Sequence, residues 1–290
     1  MRHSQLKAFH NVALHRGFSR AAEALFITQP AISEQVRKLE KDHDILLFHR
    51  ERKRVELTPE GEQLFRLTKH FFEIEQQIGE YLSESRAAVD GTLHIIADSA
   101  HHVTDILSRF RERYPNVVVT LRTGNSEDVL EELRAYNAEV GVVGSLSPGR
   151  DMDAINLGET EIVAFAAKGF LPDGTTSLRL RDLVSLPLIF REKGSKTRQK
   201  LEEEAERQGI TLAPAIEAEG RETVREVVAS GAGIGFVSMA EFGHDERLRM
   251  IPLKDIDIRM SETLVYLSQR RDVKVIRAFV AFARAEQAPA

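Results

Sequence analysis

The chain has 290 residues, a formal net charge of −5 and no cysteine. This length exceeds one typical domain and suits two or three, while the lack of cysteine excludes disulfides, thiolate metal sites and a cysteine nucleophile. Residues 1–58 hold 11 lysines and arginines against 7 aspartates and glutamates, whereas the remainder holds 29 against 38. The basic excess therefore lies in the N-terminal segment, which favours nucleic acid as its partner.

Targeting signals are not apparent in the sequence. The N-terminus begins with a polar helical pattern instead of an apolar signal segment, and no run of eighteen apolar residues occurs. We therefore expect neither secretion nor insertion into a membrane.

Two short helices with a tight joint are predicted between Phe18 and Phe48. Apolar residues recur at helical spacing at positions 21, 22 and 25, and again at 32, 36 and 39, after a break at 27–28. A supporting helix is predicted over 4–15. We expect Ser19 to cap the first helix of the pair and Thr28 the second, with Pro30 in its first turn. The pattern predicts a helix-turn-helix.

Polar side chains outside the apolar stripe suit contacts with base edges and phosphates in a major groove. The candidates are Ser19, Arg20, Thr28, Gln29, Pro30, Ser33, Gln35, Arg37 and Lys38. A basic loop follows between two short apolar strands, predicted at 46–48 and 55–57. Its residues Arg50, Arg52, Lys53 and Arg54 are placed to meet phosphates beside the groove. This wing favours a DNA reader over the alternative, a buried helical hairpin with a solvated polar face.

The order and spacing of these motifs resemble the N-terminal domain of LysR-type transcriptional regulators. The matching segments are Ala21-Ala22, TQPAIS at 28–33, Leu39-Glu40, LFHR at 47–50 and LTPEG at 57–61. The resemblance implies a bacterial, cytoplasmic regulator that binds operator DNA as a homodimer or homotetramer. Residues 6–10 and 48–50 also resemble the branch associated with aminoethylphosphonate breakdown.

A heptad seam follows the helix-turn-helix. Its apolar residues are Leu64, Leu67, Phe71, Ile74, Ile78 and Leu82. A seam of about three heptads between a DNA reader and a later domain favours pairing of two subunits, although a long helix packed on its own domain is the alternative. We therefore predict a winged helix-turn-helix domain over 1–58 and a dimerisation helix within 59–90.

From residue 91 the pattern alternates between strands and helices, which predicts an α/β domain with mostly parallel sheets. Strands are predicted at 92–97, 117–121, 140–143, 162–166, 187–190, 234–237 and 264–267. Helices are predicted at 103–113, 126–135, 197–208, 222–230 and 274–285. The resemblance implies an effector-binding domain over 91–290, like a periplasmic binding protein. We expect subdomain I at about 92–162 and 268–290, subdomain II at about 163–267, and a ligand in the cleft between them.

Junctions between strand ends and helix N-termini are the natural ligand positions in this fold, because free backbone N–H groups converge there. The candidates are Ser99, His101, His102, Asn125, Ser126, Arg191, Gly194, Ser195, Thr197, Arg198, Arg221 and Glu222. Arginines and hydroxyls favour a small anionic effector, such as a carboxylate or a phosphonate. For the junction at residues 191–198, an equal alternative is that Ser195 or Thr197 merely caps the helix that begins there.

No catalytic constellation is apparent, and we expect no cofactor, no metal site and no enzymatic activity. The glycines at 231–235 end a helix and lead into a strand, which is the wrong order for a dinucleotide loop. Residues 98–102 hold serine, histidine and aspartate without a nucleophile elbow. Two other interpretations remain: a cytoplasmic solute-binding protein, which would leave the wing unexplained, and an α/β enzyme.

Overall fold

The computed structural model describes residues 1–49, 55–82, 89–145 and 149–287. The chain forms two compact units, residues 1–86 and 87–290.

The N-terminal unit is helical. Its helices are α1 (His3–His15), α2 (Phe18–Ala24), α3 (Gln29–His43) and α4 (Pro59–Leu82). The predicted apolar positions of the first three helices form one buried core, which includes Phe9, Val12, Ala21, Ile32, Val36, Leu39 and Leu47. Burial of these side chains fixes α3 against α1 and α2 and leaves the opposite face of α3 to solvent.

Helix starts differ in part from the prediction. Gly17 occupies the N-cap of α2, because the chain reverses through a left-handed Arg16 and the helix begins at Phe18. Ser19 therefore lies inside α2, and its predicted capping role is wrong. Thr28 occupies the N-cap of α3 but its side chain makes no capping bond, while Pro30 lies in the first turn as predicted.

The two apolar segments after α3 make one antiparallel bridge, between Phe48 and Leu57. The backbone bonds from His49 N to Glu56 O (3.0 Å) and from Thr58 N to Leu47 O (3.1 Å) flank it. The segments therefore approach each other as a hairpin base without forming extended strands. The predicted wing residues Arg50, Arg52, Lys53 and Arg54 lie outside the described residues.

The second unit is built on a mixed sheet. Its strands are β1 (Gly91–Ala97), β2 (Val117–Thr123), β3 (Val140–Gly144), β4 (Met152–Ala167), β5 (Leu188–Arg191), β6 (Pro214–Ala218), β7 (Ile234–Ser238), β8 (Leu248–Ile251) and β9 (Arg259–Leu267). The strand order is β2-β1-β3-β9-β4-β7-β5-β6, and β8 pairs with β4. The helices are α5 (His101–Arg113), α6 (Ser126–Arg134), α7 (Lys196–Arg207), α8 (Arg221–Ala229) and α9 (Lys274–Gln287).

The fold class is confirmed, but the expectation of mostly parallel sheets is wrong. Pairing is parallel at β1–β2, β1–β3, β5–β6 and β5–β7, whereas the pairs β3–β9, β4–β7, β4–β8 and β4–β9 are antiparallel. The reason is the 16-residue β4, of which the sequence pattern showed only the apolar C-terminal part. Residues 152–161 are exposed or half-buried except for Met152 and Ile155, whereas buried positions alternate in the first part of β9. The two strands run antiparallel through the centre of the sheet.

The packing of the unit changes along β4 and β9. Val265 and Leu267 of β9 lie in a core with β1, β3 and α6, and Leu264 and Tyr266 lie in a core with β1, β3 and α9. Met260 lies instead in the core of β5 and α7. A bulge at Gly158, where φ is +135°, interrupts the β4–β9 register. Two α/β halves are therefore joined by shared strands.

Candidate functional site

A cavity of about 910 Å³ lies in the α/β unit at the ends of its strands. Its walls come from the turns after β1, β2, β5 and β6 and from the segment after β7. Its volume is typical of small-molecule sites, and strand ends are the usual ligand positions in open α/β sheets. The cavity is therefore the candidate ligand site.

Helix N-termini contribute to the electrostatics of this cavity. His101 begins α5 and Arg221 begins α8, and both residues line the cavity. First-turn N–H groups and the helix dipole give such ends a positive potential that favours anions. The start of α6 is satisfied within the chain, because Asn125 Oδ1 accepts hydrogen bonds from the amides of Glu127 (2.9 Å) and Asp128 (3.0 Å).

Half of the predicted effector residues line the cavity. These are Ser99, His101, Asn125, Arg191, Arg221 and Glu222. The others, His102, Ser126, Gly194, Ser195, Thr197 and Arg198, do not. Gly194 nevertheless lies near the cavity wall, because a Cβ at this position would meet the Asn125 side chain at 3.1 Å.

The predicted anion site at the start of α7 is not part of the cavity. Arg198 donates to Glu202 Oε1 at 2.9 Å and to Glu217 Oε2 at 2.7 Å. Burial alone would lower the pKa of Arg198, but these two carboxylates outweigh it and raise the pKa. Ser195 and Thr197 are buried, and Ser195 occupies the N-cap of α7 without a side-chain capping bond. The charge of Arg198 is therefore offset within the chain.

The arginines that do line the cavity also have acidic partners. Arg191 Nη2 lies 2.6 Å from Glu192 Oε1, and Arg221 Nη1 lies 2.8 Å from Glu241 Oε1. Burial opposes ionisation of Glu192, but Arg191 outweighs it, so the pKa of Glu192 is lowered. Asp128, Glu219 and Glu222 also line the cavity. A ligand therefore meets groups of both signs.

Asp98 and Glu241 form the floor of the cavity, and behind them they join His102 and Glu262, which do not line it, in a buried cluster of one histidine and three acidic residues. His102 Nε2 lies 3.4 Å from Glu241 Oε1 and 3.6 Å from Glu262 Oε1. Asp98 Oδ2 accepts hydrogen bonds from Ser126 Oγ and from the Gly144 amide, each at 2.9 Å. Ser126 therefore holds Asp98 in place and has no contact with the cavity.

Burial and the charges around them shift the pKa values of these three carboxyls in different directions. Burial, reinforced by Asp98 and Glu241, raises the pKa of Glu262 to about 9, and burial together with Glu241 raises the pKa of Asp98. Burial also opposes ionisation of Glu241, but His102 and Arg221 outweigh it and lower its pKa. Glu241 is therefore the carboxylate that keeps its charge most readily.

This cluster had little signal in the sequence. His102 was a candidate only for its position after β1, while Glu241 lies after β7 and Glu262 in β9, far away in the chain. The one indication is that Glu262 alternates with Met260 and Leu264 in β9 and so shares their face of the strand, because buried glutamates are rare unless paired.

A second candidate surface lies on α3 in the N-terminal unit. Of its predicted DNA-binding residues, Gln29, Pro30, Arg37 and Lys38 are exposed, and Ser33 and Gln35 are half-buried. Thr28, before the helix, and Ser19 and Arg20 of α2 are also exposed. Gln29 Nε2 donates to Ser33 Oγ at 2.9 Å, which aligns two base-reading candidates one turn apart. The face is polar, cationic and accessible.

Phe26 is a feature of this surface that was not predicted. It lies in the joint between α2 and α3, its side chain is 95% exposed and its φ is +55°. An aromatic residue gains nothing from solvent exposure, and a left-handed conformation is unfavourable for it. The combination indicates that the side chain is held outwards at the edge of the α3 surface.

Helix α4 carries the predicted seam. Leu67, Phe71, Ile74, Ile78 and Leu82 are exposed apolar residues at spacings of three and four. Leu64 packs instead against the core of the N-terminal unit, so the exposed stripe begins at Leu67. An exposed apolar stripe of this length is typical of a surface that pairs with another chain.

None of the described helices combines the length and the apolar character that a membrane crossing requires. A helix-turn-helix with an exposed cationic face and an α/β unit with a small-molecule cavity together define a ligand-binding DNA-binding protein. Residues 3–62 match the family described as bacterial regulatory helix-turn-helix protein, lysR family, and residues 86–288 match the LysR substrate binding domain. The chain therefore belongs to the LysR family and is a DNA-binding transcriptional regulator.

Similar proteins include regulators of known operons. The RuBisCO operon transcriptional regulator of Allochromatium vinosum is 27% identical over 280 residues, covering 96% of this chain and 93% of the relative. The transcriptional activator CmpR of Synechocystis is 27% identical over 237 residues, covering 81% and 78%.

Among solved structures, full-length OxyR from Pseudomonas aeruginosa aligns with a TM-score of 0.79 at 18% identity, covering 98% of this chain and 95% of that chain. CbnR bound to its target DNA aligns with a TM-score of 0.69 at 19% identity, covering 98% and 99%. At these identities the structures establish the fold alone.

Proposed function

We propose that this regulator binds operator DNA as a cytoplasmic homodimer or homotetramer and that a small effector with an anionic group, bound in the α/β cavity without turnover, modulates that binding. The observation that carries the proposal is the cavity itself, where the N-termini of α5 and α8 bring His101 and Arg221 to one wall. An anionic group there would gain from the helix dipoles and from charge-assisted hydrogen bonds.

The acidic residues of the same cavity narrow the class of effector. Glu192, Glu219 and Glu222 line it together with Arg191 and Arg221. A simple anion would be repelled by these carboxylates, whereas a molecule that also carries an ammonium group matches both signs. Aminoethylphosphonate has this chemistry, and so do amino carboxylates.

Thermal unfolding in the presence of millimolar ligand tests the effector class. We expect aminoethylphosphonate to raise the Tm more than methylphosphonate does, because only the former has an ammonium group. Arg221→Lys keeps the charge but loses the planar donor geometry, and it is expected to reduce the ligand-induced shift. Equal shifts with both phosphonates would contradict the proposed zwitterion, and stabilisation by a different small anion alone would contradict the phosphonate.

For the DNA-binding surface, we propose that Gln29, Ser33 and Gln35 read base edges. Arg20, Arg37 and Lys38, with the wing residues, would neutralise phosphates. The exposed, aligned Gln29–Ser33 pair supports this assignment. Phe26 is suited to an apolar contact such as a thymine methyl.

Fluorescence anisotropy on the DNA upstream of the gene, against a random duplex, tests the assignment at two salt concentrations. We expect selective binding that weakens steeply with salt. Ser33→Ala is expected to lower the ratio of specific to random affinity, whereas Lys38→Ala should weaken both duplexes alike. If Ser33→Ala weakened both duplexes equally, its base-reading role would be wrong.

A further inference from the structure

The cluster on the cavity floor has the geometry of a metal-binding site. His102 is the second residue of α5, Glu241 ends a short 3₁₀ segment after β7, and Glu262 lies in β9. One atom from each residue lies within 4.8 Å of the others: the histidine nitrogen is 3.4 Å from Glu241 Oε1 and 3.6 Å from Glu262 Oε1. In tetrahedral coordination with bonds of about 2.1 Å, neighbouring ligand atoms are about 3.4 Å apart.

Buried atoms of two of these side chains, His102 and Glu262, lack hydrogen-bond partners within the described residues. The Glu262 side chain is 2% exposed, and neither of its carboxylate oxygens accepts a hydrogen bond from any described residue. The His102 Nε2 atom likewise has no aligned hydrogen-bond partner in the described part of the chain. Buried polar atoms are rarely left unpaired, because desolvation without a new bond is costly. These unpaired atoms point to a ligand.

The strands beside Glu262 leave space around its carboxylate. Glu262 has a glycine as its pairing partner on each neighbouring strand. These are Gly144 on β3 and Gly158, which lies at the bulge, on β4. A Cβ at Gly144 would lie 2.2 Å from Met260 Cε, 3.0 Å from Asp98 Oδ2 and 3.6 Å from Glu262 Oε1. Glycine at this position therefore allows the carboxylates of Asp98 and Glu262 to approach each other.

The charges of the cluster favour a divalent cation. When Asp98, Glu241 and Glu262 are all ionised, Arg221 offsets one of the three negative charges, and a divalent ion would offset the other two. The Arg221 contact with Glu241 Oε1 is compatible with coordination, because metal-binding carboxylates commonly accept a second interaction that orients them.

We propose that His102, Glu241 and Glu262 bind one first-row divalent transition-metal ion on the cavity floor, with Zn²⁺ as the best geometric match. Three protein ligands leave a fourth position. Glu241 lines the cavity, so this position opens towards it and can be taken by water or by the anionic group of an effector. The link to the effector rests on the proposed function, whereas metal binding by the chain does not.

Calorimetric titration of the full-length, chelator-treated protein with ZnCl₂ and with MnCl₂, in the absence of DNA, tests the site directly. We expect one ion per chain, with Zn²⁺ bound more tightly than Mn²⁺. Titration with Co²⁺ should give the visible spectrum of a tetrahedral site. Glu262→Gln and His102→Asn are each expected to weaken Zn²⁺ binding about tenfold or more.

Glu159→Gln is the matched control, because Glu159 is exposed on β4 and pairs with Ser261, next to Glu262. It should leave Zn²⁺ affinity unchanged. Metal-free Glu262→Gln should unfold at or above the temperature of the metal-free native chain, since it removes a buried carboxyl without changing its size. If either cluster variant is unfolded, the Co²⁺ spectrum of the native chain decides the matter.

Failure to bind Zn²⁺ and Mn²⁺ saturably, or undiminished affinity in folded Glu262→Gln and His102→Asn, would overturn the inference. Zn²⁺ binding that depends on these residues, in a protein without operator selectivity, would support the metal site and contradict only the proposed function.

Discussion

The exposed face of α3 and the floor of the α/β cavity use polar residues in opposite ways. On α3 the polar groups are accessible, come from one segment of fifteen residues and pair weakly with their neighbours one turn away. On the cavity floor His102, Glu241 and Glu262 are largely buried and come from three distant segments. Changes on the first surface should therefore alter binding with little effect on folding, whereas changes on the second should affect both.

The largest effect is expected on the α4 seam, because its proposed pairing with a second chain would bring two α3 surfaces to one DNA duplex. Phe71→Glu combined with Ile74→Glu places charges in the apolar stripe and should give monomers. Operator affinity should fall by more than about 100-fold, because the second half-site no longer binds at a high effective concentration. Light scattering after size exclusion and anisotropy measure the two outcomes. Dimers that persist in the double variant would contradict the assigned seam.

A buried ion pair should matter more than an exposed one. Arg221→Ala removes the closer of the two ionic partners of the buried Glu241 and leaves it with His102 at 3.4 Å, which should lower the free energy of unfolding by about 2 to 3 kcal/mol. Arg247→Ala removes the ion pairs of an exposed arginine with Glu226 and Asp245 and should cost less than about 1 kcal/mol. Urea unfolding followed by circular dichroism provides both values. Equal losses would remove the distinction between the two regions.

Substitution of Phe26, at the edge of the α3 surface, should change operator affinity and the free energy of unfolding in opposite directions. Phe26→Asn replaces a residue that disfavours positive φ by one that tolerates it, so unfolding should require about 0.5 kcal/mol more. If the ring contacts DNA, operator affinity should nevertheless fall about fivefold. Anisotropy and thermal unfolding on the same preparation give the two numbers, and unchanged affinity would exclude Phe26 from the interface.

The last effect concerns His10, a half-buried polar group of α1, and it appears only at acid pH. Burial, reinforced by Lys69 and His15, lowers the pKa of His10 to about 4. Because its ordinary pKa is about 6.5, the unfolded chain takes up a proton between pH 6.5 and 4 that the folded chain refuses. Stability should therefore fall over this range, and less so in His10→Gln. Parallel pH profiles of the free energy of unfolding would count against this assignment.

The sequence predicted the elements with local signals well. The spacing of Ile32, Val36 and Leu39 predicts the buried face of α3, and the same spacing identifies its polar face. The strands β6 and β8 were not predicted. Both are short, with five and four residues, and four of the five residues of β6 are exposed, so β6 has no apolar pattern. Only the apolar C-terminal part of β4 was recognised, because eight of the ten residues 152–161 are exposed or half-buried and show no strand period.

The cavity was predictable only in outline. Turns after strands could be located from the sequence, which placed Ser99, Asn125 and Arg221 at its wall. The ionic partners of the arginines could not be predicted from the sequence, because the pairing of Arg198 with Glu217, or of Arg221 with Glu241, depends on which strands become neighbours. Charge counted along the chain therefore favoured an anion site at the start of α7, where the folded protein offsets the charge.

The antiparallel pairing of β4 with β9 in the centre of the sheet affects how the α/β unit unfolds. Each strand contributes residues to the cores on both sides, as Met260 and Val265 do within β9. Neither half can lose its packing without exposing apolar residues that hold the other, so the two halves should unfold as one cooperative unit. Backbone amides along both strands should accordingly exchange with deuterium at one common, slow rate, and expression of either half alone should yield an aggregating fragment.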